Sequence, residues 1–376
     1  MTAKIPKHWK IKKLGEIGKV KMCKRIFKDQ TNKDSNGIPF YKIGTFGGIP
    51  DAFISKELYN KYKNKYPYPK KGDVLISAAG TIGRLVVFDG TPSYFQDSNI
   101  IWIENDENIA LNKYLYHLYS NVKWKTTEGG IVSRLYNADV ESLELPIPPL
   151  KEQEKIAEML LTCDKAIRLT TQIITQLKQR NQGLAQQLLT GEKRVKGFEN
   201  SVWKEVRLGE LLDYEQPTNY LVKNTDYSNE YKIPVLTAGK TFILGYTNEK
   251  EGICTNIPLI LFDDFTTDSR YIDFPFKVKS SAVKLLKAKK NVNLRFIFEA
   301  MKLIKYAIGG HERHWISKYA FLTIFVPLFK EQNAIAQILD TTHQELKLYE
   351  QKLQLLQAQK KTLMQKLLTG EVLTLA

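Results

Sequence analysis

At 376 residues the chain has room for two or three domains, and 56 Lys+Arg against 40 Asp+Glu leave it at +16, a surplus that suits a polyanionic partner. No stretch approaches 18 uninterrupted apolar residues and Met1–Lys10 has no apolar core before a cleavage site. Neither a membrane span nor a secretory leader is therefore expected, and a cytoplasmic location follows.

The chain opens on a basic stretch, with ten Lys/Arg in positions 1–28 against the single acidic Glu16. The run Lys19-Val-Lys-Met-Cys-Lys-Arg25 alternates in part as a strand would, placing cations along one edge that could neutralise phosphates; a solvated charged face has the same composition. Within the stretch stands the motif Trp9–Lys10–Ile11–Lys12–Lys13–Leu14–Gly15–Glu16. Short β-rich runs are predicted at Ile38–Ile43, Asp73–Ser77, Leu85–Phe88 and Ile100–Ile103, then an amphipathic helix at Asn112–Ser120. Between them, the glycines of Ser77-Ala-Ala-Gly-Thr-Ile-Gly-Arg84 could bring backbone N–H groups to a phosphate, although tight β-turns use the same residues. The pair Gly129–Gly130 follows, and Pro148–Pro149 stops the last strand.

A long helix is then predicted. Glu152 and Glu154 favour its positive start, and Gly191 sits where a left-handed C-terminal cap belongs. Ile156, Leu160, Cys163, Ile167, Ile174, Leu177, Leu184 and Leu188 recur at alternating steps of three and four, with Thr170 and Asn181 as polar members of one heptad seam. The three cysteines, Cys23, Cys163 and Cys254, are odd in number and widely spaced. That suits small buried thiols in a reducing compartment and excludes a cysteine metal cluster of ordinary spacing.

The opening motif returns as Trp203–Lys204–Glu205–Val206–Arg207–Leu208–Gly209–Glu210. Strands are predicted at Ile233–Thr237, Pro258–Phe262 and Phe274–Val278, with a helix near Asn293–Tyr306. Several lookalikes fail here. Ala238-Gly-Lys-Thr241 imitates a phosphate-binding loop, but Pro234 stands where the leading glycine belongs. His311-Glu-Arg-His314 is one residue short of a zinc-protease helix. Asp263, Asp264, Asp268 and Asp273 read as turn and surface carboxylates rather than metal ligands. Neither an Asn-Pro-Pro-aromatic methylation motif nor a nuclease carboxylate–lysine cluster is recognisable, and no metal or cofactor is expected on this chain.

After Gly309–Gly310 and Pro327, the long helix also returns. Lys151–Glu152–Gln153 through Leu188–Leu189–Thr190–Gly191–Glu192 reappears, without a gap, as Lys330–Glu331–Gln332 through Leu367–Leu368–Thr369–Gly370–Glu371. The second seam is Ile335, Leu339, Leu346, Tyr349, Leu353, Leu356, Leu363 and Leu367, with polar Thr342 and Lys360. From Ile156 to Leu188 a helix spans about 50 Å, longer than one domain's core. The two seams most simply bury each other, and equivalence of the halves requires an antiparallel pair about a pseudo-two-fold axis. The expected architecture is α+β. It comprises globular domains at 1–148 and 193–326, separated by spacer helices at 149–192 and 327–376 that form an antiparallel coiled coil.

The ordered combination of Pro149-Leu-Lys-Glu-Gln153 and Pro327-Leu-Phe-Lys-Glu-Gln332 helix starts, Leu-Leu-Thr-Gly-Glu ends, Trp-Lys-x-x-[Lys/Arg]-Leu-Gly-Glu openings and glycine pairs resembles the specificity subunit of type I restriction-modification systems, over nearly the whole chain. The extra Phe329 departs from the first copy. The resemblance implies two target-recognition domains, each reading one half of a bipartite asymmetric DNA site, and helices that set the spacing. It implies no catalytic activity in this chain. Two modification subunits would methylate adenine with S-adenosylmethionine, and restriction subunits would add an ATP- and Mg2+-dependent nuclease and translocase.

Lys24, Arg25, Lys42, Arg84 and Arg134 in the first domain, and Lys240, Arg270, Arg313 and Lys318 in the second, are the candidate DNA contacts. Arg134 and Arg313 are favoured because each follows its glycine pair. Gln172, Gln176, Gln179, Gln351, Gln354 and Gln357 form uncharged polar helix faces fit for partner helices. A stand-alone methyltransferase or nuclease with an unfamiliar site, and an RNA-binding coiled-coil scaffold, are the alternatives.

Overall fold

Each opening motif forms one strand of a two-stranded antiparallel ribbon that ties a domain's beginning to its end. Lys10–Lys13 pairs with Glu144–Ile147, and Lys204–Arg207 pairs with Thr323–Val326. The computed structural model describes residues 5–124, 134–237, 241–306 and 314–372. The chain divides into two units, Met1–Thr171 with Lys352–Ala376, and Gln172–Gln351.

In the first unit a four-stranded antiparallel sheet has the order Gly18–Lys21, Ile100–Asn105, Val74–Ser77, Leu85–Val87. A second sheet runs Phe53–Ile54, Ile38–Tyr41, Tyr94–Phe95, its last pair parallel. The second unit repeats this order. Leu212–Glu215, Val283–Ala288, Leu259–Asp263 and Ser269–Ile272 form the larger sheet. Ile243–Thr247, Ile233–Leu236 and Lys277–Val278 form the smaller one, again ending in a parallel pair. Two inserts unlike in sequence therefore share one topology.

The strand period of two explains how each larger sheet serves two cores. Val74, Ile76, Ile101 and Ile103 face a core shared with helix Asn112–Asn121 and the long-helix ends, whereas Leu75, Ile100 and Trp102 face an aromatic core between the sheets. In the second unit Ile260, Phe262 and Leu286 face the helical side, and Leu259, Leu261 and Leu285 the other. Buried on both faces, strand Val74–Ser77 opens on the continuous apolar run Val74–Ile76.

Three expectations shift. The strand expected across Lys19–Arg25 ends at Lys21, and Lys19 and Lys21 approach Glu141 (4.0 Å) and Glu104 (3.3 Å). The parallel strand is only Lys277–Val278. Helix Leu294–Met301 stops short of Tyr306 because Lys302, Leu303 and Ile304 each donate to a carbonyl three residues back, which tightens and closes the last turn.

The long helices are Leu150–Leu189 and Phe329–Leu368. In the first unit Ile156 and Leu160 share a core with Leu363 and Leu367, and Lys360 Nζ donates to Asp164. In the second, Leu184 and Leu188 share a core with Ile335 and Leu339. There Lys178 pairs with Glu350 (2.9 Å), Arg180 with Glu345, and Asn181 Nδ2 donates to Thr342 O (2.9 Å). In both units numbers rise on one helix as they fall on the other, so the pairing is antiparallel. Ile174 and Leu177 are buried, and Ile167, Leu346, Leu353 and Leu356 half-buried.

The repeated motifs meet at the helix ends. Gly191 and Gly370 adopt φ of +74° and +73°, the left-handed caps expected. A Cβ on Gly370 would lie 2.3 Å from Pro6, and one on Gly191 would touch the Trp203 ring at 3.6 Å. Trp9 Nε1 donates to Glu152 (3.1 Å), so in the first unit opening, helix start and helix end form one joint. In the second unit Arg194 lies over Trp203 and contacts Glu331 through Nε and Nη2, both at 3.1 Å. Glu152 and Glu331 thus accept side-chain hydrogen bonds at these joints.

Candidate nucleic-acid interface

Where strand Gly18–Lys21 ends, the chain turns past the buried Cys23, whose thiol desolvation pushes up to about 12. It then enters a cleft of about 620 Å³ whose rim carries Arg25, Lys28, Lys33 and Lys42. Arg25 Nε donates to Asp97 Oδ2 (2.9 Å), and Lys42 Nζ lies 2.8 Å from Asp51, which it holds below the usual carboxylate range. Gln96 accepts from Ile43 N (2.9 Å) through Oε1 and lines the cleft. Arg134 reaches the same wall by donating to the carbonyl of Ser98, a residue at φ +55°. Arg25, Lys42 and Arg134 are therefore brought together. Such exposed ion pairs are weak, and a duplex phosphate could take over these cations while the amide addressed a base edge.

Lys24 is outside this wall, 5.3 Å over the Tyr66 ring. Arg84 donates through Nη1 to Phe46 O (2.8 Å), fixing a neighbouring loop. The Ser77–Arg84 segment closes on itself: Ser77 N donates to Arg84 O, Gly83 N to Ser77 O and Arg84 N to Ser77 Oγ. It is a tight turn rather than a phosphate cradle. Gly83, at φ +80°, is required because a Cβ would stand 2.4 Å from Trp124.

In the second unit Arg270 is exposed on strand Ser269–Ile272, 5.5 Å over the Phe242 ring. Lys318 is exposed at the start of the turn Tyr319–Phe321. Lys240 and Arg313 lie outside the described residues, as do both glycine pairs. The aspartates divide. Asp268 and Asp273 are exposed, as expected, but Asp263 and Asp264 are buried at 3% and 2% exposure. Asp263 accepts from Phe265 N (2.9 Å); Asp264 accepts from Trp315 N (2.9 Å) and pairs with buried Lys284 (3.2 Å). They hold a turn, and among the described residues no His/Cys/Asp/Glu cluster could take a metal ion.

A second cationic surface is not anticipated from the sequence reading. Helix Lys56–Lys65 exposes Lys56, Lys61, Lys63 and Lys65, and Lys70 and Lys71 follow. Its signal is the lysine-rich run Lys61-Tyr-Lys-Asn-Lys-Tyr-Pro-Tyr-Pro-Lys-Lys71, as dense in cations as the N-terminal stretch. The glutamines expected on the outer helix faces are exposed. So are Met159, Leu161 and Leu169, and Leu348 and Leu355 at 65% and 64% exposure, which the heptad pattern places off the seam.

The sequence profile of the type I restriction modification DNA specificity domain matches twice, at residues 6–179 and 200–358. A putative type I restriction enzyme specificity subunit of Haemophilus influenzae is 60% identical over 164 residues, 44% of this chain and 42% of that protein. The Escherichia coli EcoR124I/EcoR124II specificity subunit is 49% identical over 126 residues, 32% of this chain and 31% of that one. The chain thus aligns with less than half the length of each. A putative specificity subunit of Methanocaldococcus jannaschii aligns over 98% of this chain and 94% of its own at 25% identity. The fold matches the crystal structure of a type I S subunit from M. genitalium, with a TM-score of 0.67 and 17% identity, covering 97% of this chain and 96% of that one. With two profile matches spanning most of its length, the chain belongs to the type I restriction-modification DNA specificity family.

Proposed function

We propose that the chain is the DNA-reading subunit of a type I restriction-modification complex, in which each unit reads one half of a bipartite, asymmetric duplex site and the long helices set the distance between halves. One observation carries this reading: the same topology occurs twice, holding two inserts of different sequence, as two readers of different targets on one frame would require. In the first unit the cleft around Arg25, Lys42 and Gln96 is the reading surface. In the second, Arg270 and Lys318 mark it, with Lys240 and Arg313 as further candidates. Lysines on phosphates supply affinity common to all sequences, while arginine, asparagine and glutamine at base edges discriminate.

Two modification subunits dock on the outer faces of the long helices, where the exposed glutamines alternate with exposed leucines such as Leu348 and Leu355. Methylation by S-adenosylmethionine, and ATP- and Mg2+-dependent translocation and cleavage by restriction subunits, belong to those partners, and this chain contributes sequence choice.

Co-expression with the modification subunits followed by genome-wide adenine-methylation mapping tests the reading. The expected result is a motif of two defined blocks separated by an undefined spacer, lost when this chain is omitted. One continuous block, or methylation that persists without the chain, would overturn it.

A further inference from the structure

Resting on the function just proposed, we infer that helix Lys56–Lys65 is a groove-reading element of the first unit, with Asn60 and Asn64 at base edges and the bordering lysines on phosphates of the two strands. The helix is capped by Ser55, whose side chain accepts from Leu58 N (3.1 Å). Its inner face, Leu58, Tyr59 and Tyr62, packs on the aromatic core that includes Tyr68, Phe88 and Tyr94. Its outer face is a single polar stripe, Glu57, Asn60, Lys61 and Asn64, at steps of three and four, all exposed. Lys56 and Lys63 border one side of the stripe and Lys65 the other. Lys63 lies over the Tyr59 and Tyr68 rings (5.4 and 5.1 Å), and none of the four helix lysines forms an ion pair among the described residues. An amide-bearing stripe between unpaired cations is complementary to base edges between two phosphate strands.

Four further facts favour duplex DNA over bulk solvent as the occupant. The helix is about 15 Å long and the major groove about 12 Å wide, so the stripe can lie along the groove floor. Asparagine offers an acceptor and a donor in the geometry of adenine N7 and N6. The shared frame does not need the helix: among the described residues of the second unit, none stands between Ile243–Thr247 and Leu259–Asp263, the matching place. The helix is tied to the segment that enters the cleft through Tyr66, whose ring carries Lys65 at 5.7 Å and Lys24, the chain neighbour of cleft-lining Arg25, at 5.3 Å.

The test uses the complex with its modification subunits. Asn60→Ala/Asn64→Ala should relax preference at one or two base pairs of one half-site by about tenfold or more, leaving the other half-site and the spacer intact. Alanine at these exposed positions favours the helix, so folding is preserved. Lys56→Ala/Lys65→Ala, one lysine from each border, should weaken binding to all sequences alike and reduce the slope of log K against log salt by about 2, with the motif unchanged. If the asparagine variant keeps the full motif and affinity, the helix is only a solvated face. If it loses selectivity at both half-sites, it is not the reader of one. A wild-type complex that shows no bipartite motif would instead sink the proposed function itself.

Discussion

At the residue scale, buried polar groups differ most between the two joints. Glu331 is fully buried and its carboxylate is held by Arg194, which also donates to the carbonyls of Phe198 (2.7 Å) and Ser201 (2.9 Å). Arg194→Ala strands a buried charge and should destabilise the second unit by about 3 kcal/mol, read by chemical unfolding; a loss below 1 kcal/mol would show that the charge finds water. His117, also fully buried, has both ring nitrogens without hydrogen-bond partners. Burial lowers it to about 4; Asp164, 4.0 Å away, pulls it up and Lys360 pushes it down. Because the folded value lies below the ordinary 6.5, the unfolded chain binds the proton first, and stability falls as pH drops from about 6.5 towards 4. Between pH 7 and 5 the wild type should lose about 1–2 kcal/mol more than His117→Leu, followed by hydrogen exchange in helix Asn112–Asn121. Equal pH dependence would contradict the assignment. The sequence displays Trp9 and Trp203 plainly as echoes. It hides that one donates to a carboxylate while the other stacks under an arginine, because those partners come from distant segments.

At the element scale the heptad seam was the most legible feature, since its period survives whatever the helices pack against. Leu160 and Leu339, each 1% exposed or less, lie in different units. Leu160→Ala and Leu339→Ala should each cost about 2–5 kcal/mol, measured by urea unfolding, with hydrogen exchange accelerated chiefly in the unit that carries the substitution. Equal acceleration in both units would show that the helix pair unfolds as one body. Strand positions were also legible from apolar runs such as Leu259–Asp263, but their order was not. Strands of two to six residues pair across long sequence separations, as Gly18–Lys21 does with Ile100–Asn105, and no local signal sets that choice. The loop Ser77–Arg84 reads two ways for a related reason: glycines that admit a phosphate are also the ones that admit a tight turn, and the hydrogen bonds between Ser77, Gly83 and Arg84 close it as a turn. Helix Lys56–Lys65 went unmarked because its tyrosine spacing reads as readily for a packed helix as for a surface one.

At the scale of the whole molecule, the family and the two-domain repeat are readable because the frame recurs, whereas the sequence preference of a DNA reader is not, since it depends on a few exposed side chains. On the proposed reading, helix length sets the distance between half-sites. Adding one heptad to each long helix at paired positions keeps the seam and lengthens each by about 10.5 Å. Methylation mapping should then show a spacer longer by about 3 bp, and an unchanged spacer would contradict the ruler.

The central claim is that each insert alone chooses one half-site, and putting a second copy of one insert in the other's place tests it most directly. Residues 18–143, between the one-turn helix Leu14–Ile17 and strand Glu144–Ile147, would be replaced by residues 212–322, which occupy the same place after Leu208–Leu211 and before Thr323–Val326. Methylation mapping of cells co-expressing this chain with the modification subunits should return a symmetric site, the second half-site facing its own inverted copy across the original spacer. Retention of the original asymmetric motif, or a motif in which both halves change, would contradict the account.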